Sequence, residues 1–314
     1  MLAHPSGSGT FIFVWHVTSF YRFTPIPEDR TEILRQETEA HMLENGVSGL
    51  IIYAPEGVNG TVAREELPLD EFKSWLNAQL SLNDIRYKDS VTERKPFHRR
   101  DVVVRREIVG LKRTDLVPDS PEDHHLSPRE WHEFMLSDQP KVVIDTRNVY
   151  ETAIGKFRGA VDPNIKGFSE WSQYMDQAEI PRDVPVLIYC TGGIRCEKVM
   201  LEMRTRGYDQ VFQLRDGILG YLAEYPDGLY EGECYVFDDR VALDADLKPT
   251  EQYGCCPACG LPASSIANCD WCFRDYYACP ECVEKWGPVC SKLCRDRYNR
   301  HGTRRPQTSS DVQG

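Results

Sequence analysis

Residues 185–196 read PVLIYCTGGIRC. An apolar run without polar interruption is the pattern of a strand buried on both faces, as in a parallel sheet. The run ends in Cys190, a glycine pair and Arg195, and CEKVMLEMRTRG (196–207) continues as a helix. Open parallel sheets carry their sites at the carboxyl ends of strands, which is where this order places Cys190. Gly192 and Gly193 let the chain curl, so that backbone N–H groups and the positive end of the helix point at the sulfur. Arg195 adds a fixed positive charge, and each of these influences favours thiolate over thiol. The expectation is an acidic Cys190, open to an incoming reactant, in a loop (Thr191, Gly192, Gly193, Ile194) that would also cradle a persulfide or similar anion. A cysteine that merely fills a core explains neither the glycines nor the arginine.

Working outward, KVVID (141–145) and QVFQL (210–214) are further short apolar strands, with SPREWHEFM (127–135) and GFSEWSQYMDQ (167–177) as helices among them. This alternation predicts a parallel α/β domain over 116–228. VPDSPEDHHLSP (117–128) reads as a linker. Ahead of it, over 1–115, the rhythm is different. FIFVWHV (11–17), SGLIIYA (48–54), a strand beginning TVA (61–63) and DIRYKDS (84–90) read as strands. Helices fall at 27–46, with Ile33, Leu34, His41, Met42 and Leu43 toward one side, and at 69–80. The order βαββαβ predicts a ferredoxin-like α+β sandwich. FHRRDVVVRREIVGL (97–111) adds a strand. PEGVNG (55–60) reads as a tight turn using Gly57, Asn59 and Gly60, or as a turn presenting Glu56 and Asn59 to a ligand.

The chain has 314 residues and a net charge of -12, which argues against wholesale attraction to nucleic acid. Residues 86–113 are the exception, with ten Lys/Arg against four Asp/Glu, a balance of +6. Arg94, Lys95, Arg99, Arg100, Arg105 and Arg106 are candidate phosphate contacts, with Tyr87 and Phe97 as candidate base-stacking rings; the plain alternative is a solvated charged face. The segment 297–314 reads as a flexible basic tail. No stretch is long and apolar enough to span a membrane, and MLAHPSGSG lacks the pattern of a secretory signal. The expectation is a cytoplasmic protein, where 12 cysteines do not form a disulfide framework.

Nine of those cysteines lie between 255 and 294, in CCPACG (255–260), CDWC (269–272), CPEC (279–282) and CSKLC (290–294). Two such short-spaced pairs complete a four-sulfur zinc site. Cys255, Cys256, Cys259, Cys269, Cys272, Cys279, Cys282, Cys290 and Cys294 are therefore candidate ligands for one or two structural zinc ions. One of Cys255 and Cys256 is spare, and the pairs combine either sequentially or interleaved. Disulfides and an iron–sulfur cluster are the alternatives. So cysteine-rich a segment, taken as 229–296, has too few apolar residues to fold without metal or cross-links.

The C-x4-R of residues 190–195 resembles the rhodanese active loop, and DTRNVYETAIGKFRGA (145–160) and RDGILGY (215–221) resemble that family's flanking motifs. The six-residue loop has the sulfurtransferase length, one residue shorter than in the related phosphatases. Lys156 stands where the pattern usually has histidine. Asp145 and Arg147 are expected to brace the loop and Glu151. Cys196 is either a small residue packed at the helix start or a resolving thiol. Taken with YAPEGVNGTV (53–62), YVFDDRVA (235–242) and the cysteine-rich close, the chain resembles the tRNA uridine(34) hydroxylase family, which joins an acylphosphatase-like domain to a rhodanese domain. The resemblance implies oxygen-dependent hydroxylation at C5 of the wobble uridine in the tRNA anticodon loop, giving 5-hydroxyuridine. Cys190 would be the catalytic thiol, with Arg195 and the loop amides stabilising the developing charge, and dioxygen the co-substrate; no flavin or nicotinamide site is seen. Sulfur transfer through a Cys190 persulfide and a non-catalytic zinc-bearing RNA- or protein-binding adaptor are the alternatives. DDR (238–240) suggests no chemistry by itself.

Overall fold

The computed structural model describes residues 13–118 and 124–303. The first layer pair is built from β1 (Trp15–Phe23), α1 (Glu28–Glu44), β2 (Ser48–Ala54), β3 (Gly57–Glu65), α2 (Asp70–Leu80), β4 (Arg86–Thr92) and β5 (Arg100–Val104). The sheet order is β4-β1-β3-β2-β5, antiparallel except that β5 runs parallel to β2 at the edge. The first four strands make the predicted ferredoxin-like arrangement. The first strand begins at Trp15; residues 11 and 12 of the expected strand lie outside the described residues.

Helix α1 turns Thr31, Leu34, Thr38 and Met42 to the sheet, at spacings of three and four residues. Ile33 and Leu43, expected on that side, are exposed instead. Leu34 and Met42 join Phe20, Ile51, Phe72 and Leu76 in one core, and Thr38 meets the buried Tyr53 hydroxyl at 2.8 Å. The β2–β3 turn is only Pro55 and Glu56, because Ala54 already pairs with Gly57. The six-residue turn expected over 55–60 is thereby corrected: Asn59 and Gly60 lie within β3. Gly60 is required by crowding, since a Cβ there would sit 2.9 Å from the Phe20 ring.

The second domain comprises β6 (His125–Leu126), α3 (Pro128–Leu136), β7 (Val142–Asp145), α4 (Val149–Thr152), β8 (Gly155–Phe157), α5 (Trp171–Gln177), β9 (Val186–Tyr189), α6 (Ile194–Thr205), β10 (Val211–Leu214) and α7 (Gly217–Glu224). Its parallel sheet has the order β6-β10-β9-β7. All four residues of β9 are buried, and they alternate between two cores. Val186 and Ile188 pack with Trp171, Met175, Val199 and Met203 of α5 and α6. Leu187 and Tyr189 pack with Trp131, Ile218 and Tyr221 of α3 and α7. Ser127 begins α3 as the sequence suggests: its Oγ accepts the Glu130 N–H while the Glu130 carboxylate accepts the Ser127 N–H. β11 (Tyr230–Gly232) pairs with β8 and leads out of the domain.

The cysteine-rich segment consists of two-strand ribbons with α8 (Pro280–Trp286) and α9 (Lys292–His301), and its small cores are centred on cysteines. Neither helix is marked in the sequence, because their apolar faces are short and lined by sulfur. Helix α9 corrects the flexible tail expected from 297, since 297–301 are helical, and 304–314 of that tail lie outside the described residues. Among the described residues no helix is long and apolar enough to cross a membrane.

Candidate active site and cysteine clusters

Strand β9 delivers Cys190, and the chain then turns through Gly193 at φ 100, a left-handed conformation that favours glycine. That turn aims the Gly193 N–H at the Cys190 sulfur, 3.0 Å away, just before α6 begins. Burial alone would raise the thiol pKa. A hydrogen bond from the Cys196 thiol, the charge of Arg195 and the N–H groups of Arg195 and Gly193 outweigh it, so the Cys190 pKa falls well below that of a free thiol. Cys196 moves the opposite way, raised by its own burial and by donating to Cys190. Its sulfur also lies 3.6 Å from Thr146 Oγ1, inside the α5–α6 core.

Arg195 is not free to meet a ligand's charge. It grips Glu151 with both terminal nitrogens, at 2.6 and 2.8 Å, and is 5% exposed. Burial works against the guanidinium charge, but the Glu151 carboxylate prevails and raises the pKa. Glu151, in α4, thus anchors the loop through Arg195. Asp145 and Arg147 do not brace Glu151 as expected. They form a separate bidentate pair with no side-chain exposure, and Arg147 extends to the Gly155 carbonyl at 2.6 Å and the Tyr230 hydroxyl at 3.3 Å. This pair ties β7 to β8 and β11, one layer beneath the loop.

The N-terminal domain roofs the loop. The Tyr21 hydroxyl donates to Glu197 Oε1 at 2.9 Å, and a Cβ on Gly193 would lie 2.9 Å from that hydroxyl oxygen. Lys88 and Arg86 reach Asp216 at 3.4 and 2.7 Å. Lys198 of α6 lies between Glu56 and Glu107 at 2.7 and 2.6 Å. Cys190 is consequently 1% exposed, which corrects the expectation of an open sulfur: the loop points outward from its own domain, into the underside of the other. Glu56 and Asn59 are likewise occupied. Glu56 Oε1 accepts the Ile108 N–H at 2.7 Å, and Asn59 Nδ2 donates to the Ile108 carbonyl at 3.0 Å.

The basic stretch divides. Lys88 is half-buried in the domain contact, Arg94 donates to the Thr250 carbonyl at 3.3 Å, and Arg100 Nε donates to the Val47 carbonyl at 3.0 Å. Lys95 lies over the Trp15 ring, while Arg99, Arg105 and Arg106 are exposed. Tyr87 packs on Phe20, and Phe97 joins Trp15, Val17 and Ala63, so both rings are partly buried in their own domain. An exposed aromatic ring stands beside the loop at Phe237, 59% exposed, with the Arg195 guanidinium carbon 5.6 Å from its centroid. The ring lies within YVFDDRVA (235–242), where nothing in the local pattern marks it.

The cysteines form two groups in the interleaved pairing: Cys256, Cys259, Cys279 and Cys282, then Cys269, Cys272, Cys290 and Cys294, with the sulfurs of each group within 4.8 Å of one another. A thiolate tetrahedron on zinc, with Zn–S of about 2.3 Å, has edges of about 3.8 Å. The sulfur distances Cys259–Cys279 and Cys290–Cys294 are both 3.8 Å, and Cys272–Cys290 is 3.4 Å, so the donors fit that metal. Cys255 belongs to neither group. It ends a two-residue strand, Gly254–Cys255, and is exposed, whereas Cys256, the next residue, is buried.

Three family models match in sequence: a UPF0176 acylphosphatase like domain over 15–108, a Rhodanese-like domain over 128–224 and a Rhodanase C-terminal region over 231–295. Among curated relatives, one from Bdellovibrio bacteriovorus is 41% identical over 93% of this chain and 84% of its own length. Another, from Agrobacterium fabrum, is 36% identical over 96% of this chain and 94% of its own. A third, from Rhizobium etli, is 38% identical over 85% of this chain and 86% of its own. All three are named tRNA uridine(34) hydroxylase. Identity of this degree across both folded domains and the cysteine-rich close means that the chain belongs to the tRNA uridine(34) hydroxylase family.

Proposed function

We propose that this protein hydroxylates C5 of the wobble uridine of tRNA, giving 5-hydroxyuridine, with Cys190 as the nucleophile. The observation that carries the reading is the Cys190 sulfur at the N-terminus of α6, 3.0 Å from the Gly193 N–H, beneath a domain whose strand β5 is flanked by the exposed Arg99 and Arg105. The thiolate adds to C6 of uracil, and the C5–C6 electron pair moves onto C5 as an enolate. C5 then takes one oxygen atom from dioxygen. The second oxygen leaves as water, with two electrons and two protons from a reductant of the thiol class. Loss of the C5 proton and expulsion of the Cys190 sulfur restore the double bond. Loop N–H groups, rather than the Glu151-bound Arg195, face the developing charge. Arg195 positions the loop.

The anticodon loop is single-stranded, so its wobble base leaves the stack at small cost. With Cys190 1% exposed, the base reaches the sulfur only after the roof yields. Arg99, Arg105 and Arg106 supply phosphate contacts. Each group of four cysteines would hold one zinc ion, which would stabilise the C-terminal segment and leave the chemistry to Cys190.

The test is mass spectrometry of tRNA nucleosides from a hydroxyuridine-deficient strain carrying the wild type or Cys190→Ala. Wild type should restore 5-hydroxyuridine and Cys190→Ala should not. Equal restoration removes Cys190 from the mechanism, and no restoration by wild type leaves sulfur transfer through Cys190 as the better account.

A further inference from the structure

We propose that Phe237 is the stacking platform for the substrate base, the ring on which the unstacked wobble uracil rests beside the thiol loop. The inference rests on the tRNA reading above and names the residue that would position the base.

Phe237 stands at the tip of the hairpin that pairs Cys234–Tyr235 with Ala242–Leu243. The tip is closed by Val236 N–H to the Val241 carbonyl and Val241 N–H to the Asp238 carbonyl, both 2.9 Å. Asp238 and Arg240 form a bidentate pair across it, at 2.8 and 2.7 Å, with 2% and 4% side-chain exposure. This gives the DDR sequence its role. A buried ion pair confers little net stability, but it enforces one geometry. Arg240 continues to Ser90 Oγ at 3.3 Å, and the Asp239 N–H donates to the Pro96 carbonyl at 2.9 Å, so the tip is fastened to the basic segment of the other domain.

On its inner side the ring is equally fixed. Tyr235 meets it edge to face at 4.9 Å, and Arg195 lies over one face. The Tyr235 carbonyl accepts the Thr191 hydroxyl at 3.5 Å, joining the hairpin directly to the thiol loop. A lone exposed phenylalanine is ordinary on a protein surface. This one is held rigidly where the thiol loop and the cationic segment converge, which are the two surfaces an RNA nucleotide must touch with its base and its phosphates. Aromatic rings bind unpaired bases by stacking at about 1–3 kcal/mol per base, and a pre-positioned ring loses little freedom in doing so.

The experiment measures equilibrium binding of the full-length protein to two anticodon stem-loop RNAs, one with uridine at the wobble position and one abasic there. Wild type should prefer the uridine RNA by about fivefold or more. Phe237→Leu keeps an apolar side chain without a π face and should bring that ratio close to one. Phe237→Trp should keep or increase it. Affinity for the abasic RNA should be the same in all three proteins, because it reports phosphate contacts alone. An unchanged ratio in Phe237→Leu, or no preference in wild type, overturns the platform while leaving the hydroxylase reading intact. Failure of wild type to bind either RNA overturns both.

Discussion

Lys198 Nζ lies 2.7 Å from Glu56 Oε2, and neither side chain is more than 4% exposed. The helix that starts at the thiol loop therefore ends one of its side chains in the β2–β3 turn of the other domain. Glu107, at 2.6 Å, makes this a buried triad of one cation and two carboxylates. Replacing Lys198 by Met strands both carboxylates without a cation. We expect a loss of about 3–5 kcal/mol in urea unfolding, partly recovered in Lys198→Met/Glu56→Gln. A loss below about 1 kcal/mol would mean that the triad is solvated and screened.

Cys196 donates to the Cys190 thiolate, so removing the donor should make Cys190 less acidic. The folded pKa of Cys190 is depressed, hence the thiolate is present above that value and lost as pH falls through it. Native-state alkylation of Cys190, read by peptide mass spectrometry, should stay level through neutral pH and drop only on the acid side. Cys196→Ala should shift the drop upward by about one pH unit, the worth of one hydrogen bond to a charged group, and Cys196→Ser should shift it less. An unmoved profile in Cys196→Ala would remove the hydrogen bond from the account of the thiolate.

Tyr21 covers the loop, and Gly193 leaves it room at φ 100. Gly193→Ala adds a Cβ 2.9 Å from the tyrosine oxygen and places alanine in the left-handed region, at a cost of about 1–2 kcal/mol. Thermal stability should fall and Cys190 alkylation should accelerate at constant pH. Tyr21→Ala should accelerate alkylation as well, without the backbone penalty. Slower alkylation in both would place the route to the sulfur elsewhere.

The two cysteine groups predict two zinc ions per chain by elemental analysis. Cys255→Ser should keep both, because that sulfur belongs to neither group. Cys256→Ser and Cys294→Ser should each lose about one, and chelation should unfold the C-terminal segment before the other domains. Equal loss from Cys255→Ser would contradict the interleaved assignment.

Arg99 and Arg105 are exposed at the two ends of β5. Arg99→Glu/Arg105→Glu should weaken tRNA binding about equally for all sequences, and should lower the slope of log affinity against log salt by about two. An unchanged slope would move the phosphate contacts off this strand. Arg100 is a poorer probe, since its Nε is bound to the Val47 carbonyl.

Much of this architecture was legible because it depends on local pattern. PVLIY specified a strand buried on both faces, the βαββαβ rhythm specified the sandwich, and Ser127 with Glu130 announced the start of α3. Paired cysteines at two- and three-residue spacing announced groups that could hold a metal ion. These signals need only chain neighbours, because a helix or strand repeats its environment every few residues. Pairing between distant segments leaves no such trace. Glu151 to Arg195, Glu56 to Lys198, Tyr21 to Glu197 and Phe237 to Arg195 span 44, 142, 176 and 42 positions of the chain.

The sequence by itself determined the two domain folds, the position of Cys190 at a strand end and the short spacing of the cysteine pairs. Only the tertiary structure decided that the sulfur is roofed, that Arg195 is already bound to a carboxylate, that Cys255 is spare, and that an exposed aromatic ring stands beside the loop. The physical reason is that burial and charge compensation belong to the surfaces domains present to one another, and those surfaces exist only once each domain has folded.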